Sequence, residues 1–143
     1  MNKKGIIFDL DGTLWDASTQ VVPVWNIALK RHSQLDKQIT LDDMRGFMGK
    51  TIDVIAKIIF PKMDVNKSVK ILNECCNEEQ IYLRKNGGIL YPKLEDTLKL
   101  LVQNYSLYIV SNCQDGYVQS FLDYHKLCSY FNDIEMSGRT GKS

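Results

Sequence analysis

The sequence predicts an α/β fold in which a parallel sheet is interrupted by a long helical insertion. Three observations lead there. Two short apolar runs, Gly5–Leu10 and Leu107–Val110, each end in polar residues, as buried strands of a parallel sheet do. Residues 16–87 between them carry helical periodicity. Beyond residue 88 the pattern alternates helix, strand, helix, strand.

Taken in order, Gly5–Leu10 is bounded by Asp11-Gly12, a turn signal. Val21, Trp25, Ala28, Leu29 and His32 then share one helical face, with Pro23 suited to the start of that helix. Thr40 with Asp43 forms a capping-box pattern for a short helix over Leu41–Arg45. Ile52, Ile55, Ile59 and Phe60 make an apolar stripe that Pro61 ends. Val69, Leu72, Cys76 and Leu83 mark a further helix, stopped by Gly87-Gly88. Leu94, Leu98, Leu101 and Val102 predict a helix after Tyr91-Pro92; Val118, Phe121 and Leu122 predict another after Ser111-Asn112. Asp133–Met136 is expected to be a third strand.

Composition removes several classes of function. With 44% hydrophobic and 24% charged residues, the 143-residue chain resembles an ordinary globular domain. Eighteen basic against 17 acidic residues give a net charge of +1, so nothing advertises nucleic acid or an anionic membrane as partner. No apolar run approaches the roughly 20 residues of a membrane span, and Gly5–Phe8 is too short for the core of a signal peptide. Cys75, Cys76, Cys113 and Cys128 fit neither a CxxC pair nor a disulfide scaffold, which points to a reducing, cytoplasmic location.

The chemistry is expected at the carboxyl ends of the strands, where open α/β sheets bind ligands. Asp9-Leu10-Asp11-Gly12-Thr13 follows the first strand directly. Acids two residues apart there can face one pocket, and their repulsion invites a hard cation such as Mg²⁺. One carboxylate can attack phosphorus and the other can exchange protons with the leaving group and water. Asp and Gly are also plain turn formers. A calcium loop is disfavoured by Gln20 at its twelfth position and Thr13 where an acid belongs.

Phe8-Asp9-Leu10-Asp11-Gly12-Thr13-Leu14 resembles the first motif of the haloacid dehalogenase-like (HAD) hydrolase superfamily. Val110-Ser111-Asn112 resembles its second motif, and the helical stretch resembles the family's cap inserted after the first. The resemblance implies a Rossmann-like core formed by residues 1–15 and 88–143, with a helical cap at 16–87. It makes Asp9 the nucleophile and Asp11 the general acid/base of a phosphatase acting on small phosphorylated metabolites. Mg²⁺ would be held by the Asp9 carboxylate and the Asp11 backbone carbonyl, and the phosphoryl group by Ser111 and Asn112. An acid at position 11 favours phosphate esters over haloacids, since dehalogenases of this kind lack one. Ser111-Asn112 also reads as a helix N-cap.

Arg45-Gly46-Phe47-Met48-Gly49-Lys50 resembles the cap loop that reads substrate, with Arg45 or Lys50 meeting an anionic group; a solvated helix connection is the bland alternative. Trp15, Trp25 and Tyr91 are expected in packing, and His32 and His125 at the surface or at helix ends. Lys142 is the candidate for the family's phosphate-neutralising lysine. The tail Gly138–Ser143 imitates a P-loop but has Met136 where the first glycine belongs. The family's fourth motif, one or two further acids, is not in the chain, so the core is expected to be C-terminally incomplete. That opens an alternative reading: a catalytically impaired relative that binds, assembles with itself, or needs a second chain.

Overall fold

The computed structural model describes residues 3–141. In chain order the elements are β1 (Lys4–Phe8), β2 (Trp15–Asp16), α1 (Ser18–Lys30), α2 (Leu41–Phe47), α3 (Ile52–Ile59), α4 (Val65–Asn86), β3 (Ile89–Leu90), α5 (Leu94–Leu101), β4 (Tyr105–Ser111), α6 (Tyr117–His125), β5 (Asp133–Met136) and α7 (Ser137–Thr140). A 3₁₀ turn, Cys128–Tyr130, leads into β5.

The α/β architecture with a parallel sheet is present. β1, β4 and β5 form a three-stranded sheet in the order β1-β4-β5, every pairing parallel. Alternation along β4 turns Leu107, Ile109 and Ser111 inward, and the first two are fully buried. The opposite parity faces out: Ile7, which pairs with Tyr108, is 68% exposed and Val110 48%. One sheet face is therefore packed and the other is bare. The register places Phe8 beside Ile109, which brings the residues after β1 and the end of β4 to the same edge.

α1 to α4 fall consecutively between β2 and β3, which pair antiparallel with Trp15 opposite Leu90 and Asp16 opposite Ile89. The α2 cap is reciprocal: Thr40 Oγ1 accepts from the Asp43 N–H while Asp43 Oδ2 accepts from the Thr40 N–H. The Asp64 side chain caps α4 at the Lys67 amide. α4 packs against α1 and α3 and also against α6, joining the helices to the sheet layer. Leu72 and Leu83 of α4, Leu98 of α5 and Phe121 of α6 lie in one continuous apolar core with Leu107 and Ile109.

Four details differ from the sequence reading. The first strand ends at Phe8, because the fully buried Leu10 turns its carbonyl to the amides of Thr13 and Leu14. Asp16 belongs to the β2–β3 ribbon instead of opening the helical stretch. Pro23 sits in the second turn of α1, where its missing N–H would leave the Thr19 carbonyl without its i+4 donor, and both residues are exposed. α1 stops at Lys30, and His32 lies in the following turn, 2.8 Å from Glu74.

Candidate active site

The turn after β1 is built around Gly12, at φ 74°, a conformation that glycine adopts without a Cβ penalty. The Gly12 amide donates to the Trp15 carbonyl (3.0 Å), closing the loop that carries both acids. Asp9, exposed at the sheet edge, accepts the Leu10 N–H on Oδ1 (2.8 Å). Asp11 is held more firmly: its Oδ1 accepts from Trp15 Nε1–H (3.0 Å) and from the Tyr117 hydroxyl (2.8 Å). Burial pushes the Asp11 carboxyl up to about 6; the Tyr117 and Trp15 hydrogen bonds pull it down, and the charges of Asp9 and Asp16 add to the rise.

These acids open on a pocket between the sheet edge and the helices, which Ser111 and Asn112 also line. Ser111 is buried at the end of β4, and Asn112 Nδ2 donates to the Gly49 carbonyl (3.0 Å). That bond straps the loop after α2 onto the sheet edge, and Met48 of the same loop lies over Gly12. Lys50 lines the pocket with its Nζ donating to the Gly46 carbonyl (2.6 Å). Arg45 is exposed and lies outside the pocket lining. Lys142 lies outside the described residues. Trp15 is fully buried against Tyr117 and Phe121, Tyr91 is 41% exposed instead of packed in the core, and His125 ends α6.

The pocket also gathers polar groups that the sequence reading passed over. Tyr117 touches Asp11 from α6, at a separation of 106 residues. Glu79 of α4 is 7% exposed, and its Oε2 accepts from Trp25 Nε1–H (2.9 Å). Burial pushes Glu79 up to about 8, with the Asp11 charge adding and the Trp25 bond opposing. Cys113 lines the same space, its thiol pushed up to about 12 by burial, which removes it as a thiolate nucleophile near neutral pH. All four cysteines are free.

The two acids can supply part of the oxygen shell of a small divalent cation, the remainder coming from water and substrate. Among the described residues no group of three or more His, Cys, Asp or Glu is disposed around a common metal position. Asp9 and Asp11 are two acids, and the Asp11 carboxylate is engaged with Trp15 and Tyr117. Mg²⁺ keeps several waters in its octahedral shell and takes one or two protein carboxylates with substrate phosphate oxygens, so the Asp9 carboxylate and the Asp11 backbone carbonyl fit the protein's share of such a shell.

The sequence pattern of the haloacid dehalogenase-like hydrolases matches residues 6–143. The chain belongs to that family. Among relatives of this haloacid dehalogenase-like chain is a phosphoglycolate phosphatase of Aliivibrio fischeri, 25% identical over 138 residues, which span 92% of this chain and 60% of the relative. A second phosphoglycolate phosphatase, of Nitrosospira multiformis, is 26% identical, with 94% of this chain and 60% of the relative covered. A crystal structure described as a haloacid dehalogenase-like hydrolase of Bacteroides fragilis superposes with a TM-score of 0.79 at 28% identity, over 99% of this chain and 66% of that one. The chain thus spans about three fifths of the length of the phosphatases it matches. Among its described residues no helix is long and apolar enough to cross a membrane.

Proposed function

We propose that the chain carries the nucleophile and the acid/base of a phosphatase for small phosphate monoesters, working through an aspartyl-phosphate. The observation that supports this reading is the division of labour between the two acids. Asp9 keeps Oδ2 without a protein partner among the described residues, open to the pocket. Asp11, two residues on, is raised to about 6, so near neutral pH it is available in both protonation states.

In this scheme Asp9 Oδ2 attacks phosphorus in line while the bond from phosphorus to the ester oxygen breaks. Protonated Asp11 gives its proton to the departing alkoxide. The Asp11 carboxylate then takes a proton from a water attacking the same phosphorus, which releases inorganic phosphate and restores Asp9. The Ser111 hydroxyl and the Asn112 backbone N–H, at the end of β4, hold the phosphoryl oxygens. Lys50 is the candidate contact for further negative charge, with Lys142 as a second and Arg45, exposed on α2, as a third. Residues 16–87 act as the cap over a core of 1–15 and 88–143. Magnesium would be held by the Asp9 carboxylate and the Asp11 backbone carbonyl, where it would screen the phosphoryl charge from the attacking carboxylate. A cytoplasmic setting fits the free thiols.

The test is hydrolysis of p-nitrophenyl phosphate by the purified chain with magnesium, beside Asp9→Asn. Turnover by the wild type and background rate in the variant is the expected result. Equal rates eliminate Asp9 as nucleophile.

A further inference from the structure

Glu79 has no part in the scheme above, yet it is a buried acid facing the reacting groups. Its Oε2 is occupied by Trp25 Nε1–H, which fixes the carboxyl in the pocket wall. Its Oε1 has no protein partner among the described residues and is not sealed away from the pocket space. The charged side chains that line the pocket among the described residues are Asp9, Asp11, Glu79 and Lys50, and the Lys50 ammonium already donates to the Gly46 carbonyl. The rest of the wall mixes apolar side chains, among them Val21, Trp25 and Ile55, with the uncharged polar Ser18, Gln80 and Tyr117.

Such a chamber treats two kinds of leaving group differently. A carboxylate on the ester's alcohol would enter a space where three acids face one engaged ammonium, and an underpaired buried anion is expensive. A hydroxyl both donates and accepts, so it satisfies Oε1 whether Glu79 holds its proton or not. We propose that Glu79, through its free Oε1, selects phosphate monoesters of uncharged, hydroxyl-bearing alcohols and discriminates against carboxylated ones. The inference rests on the phosphatase reading and departs from the substrate in the names of the two relatives. Trp25, whose N–H holds Glu79 in place and whose ring stacks near Phe47 (6.3 Å between centroids), is the positioning residue.

Hydroxyethyl phosphate and phosphoglycolate make a matched pair, differing by a hydroxymethyl against a carboxylate. Calorimetric titration of the wild type near neutral pH, with inorganic phosphate as reference, is expected to give the hydroxylated ester a Kd about tenfold lower or better, because an unmatched buried polar group is penalised heavily. Glu79→Met collapses that preference to below about threefold and leaves inorganic phosphate binding unchanged, since the phosphoryl subsite lies at Asp9 and Ser111. Glu79→Gln, which keeps a donor and an acceptor, retains the preference and guards against a Met variant that fails to fold. Equal or tighter binding of phosphoglycolate by the wild type overturns the proposal, as does an undiminished preference in Glu79→Met. Loss of the preference in Glu79→Gln shows charge repulsion at work and overturns the hydroxyl contact. If p-nitrophenyl phosphate is turned over through Asp9 while the two esters bind alike, selection by Glu79 fails alone; turnover that survives Asp9→Asn overturns the underlying reading and this one with it.

Discussion

Replacing Glu79 by Gln should stabilise the protein, and by an amount that depends on pH in a defined way. The carboxyl titrates at about 8 in the fold against an ordinary 4.5, with burial as the largest cause. The folded state therefore holds this proton more tightly than the unfolded chain. Its contribution is complete below about pH 4.5 and is lost as pH rises towards 8. At about 1.4 kcal/mol for each pH unit crossed between 4.5 and 7, the wild type has lost about 3 kcal/mol at neutral pH. Gln carries no charge to bury and its carbonyl still accepts from Trp25 Nε1–H. Asp11, raised to about 6, pulls stability in the same direction, but it is common to both proteins and largely cancels in the difference. Urea denaturation at a series of pH values measures the gap directly. It should be near zero around pH 4.5 and about 3 kcal/mol near neutrality, equivalent to about 10 °C in Tm for a chain of this length. A gap that does not change with pH would refute the reasoning, because it would mean the buried carboxyl is not what titrates.

Tyr117→Phe removes the stronger of the hydrogen bonds that hold the Asp11 carboxyl down, so Asp11 should titrate above about 6, read by carboxyl NMR or as an upward move of the acid/base limb in the pH–rate profile. Gly138→Ala would place a Cβ 2.4 Å from the Asp115 backbone nitrogen and 2.5 Å from the Gln114 Cα; neither is a side chain that can swing away, and a loss of about 1–3 kcal/mol in urea unfolding is expected. The bare sheet face around Ile7 and Val110 should drive reversible self-association, and sedimentation velocity should show Ile7→Lys shifting the population towards monomer.

The sheet could be read from the sequence because a parallel strand buried in a core is a short apolar run, as Leu107–Val110 is, and because the edge strand Asp133–Met136 alternates polar and apolar residues. α2 was legible through the Thr40–Asp43 cap, whose bonds are local and need no tertiary knowledge. β2 and β3 were not, since strands of two residues carry no period and exist through each other. The acids after β1 announced themselves by spacing, whereas Tyr117 reaches Asp11 across 106 residues and leaves no local trace. Glu79 was hidden for another reason. It stands in the run Asn77-Glu78-Glu79-Gln80, which reads as a solvated helix face, and Trp25 on α1 turns that one position inward. Neighbouring Glu78 pairs outside with Arg31 at 2.8 Å, as the run suggests. The ending of α1 was misjudged because His32 keeps the apolar spacing while its backbone has already left the helix.

The short ribbon of β2 and β3 has a mechanical consequence. Both passages of the backbone between the four helices and the sheet run through it side by side, with Trp15 wedged at its base. Any displacement of the helices over the sheet must therefore be taken up in these two short strands and in the packing of α4 on α6. Trp15, packed edge-on against Tyr117 and Phe121, ties the ribbon to α6, and shaving it to a smaller side chain would loosen that tie.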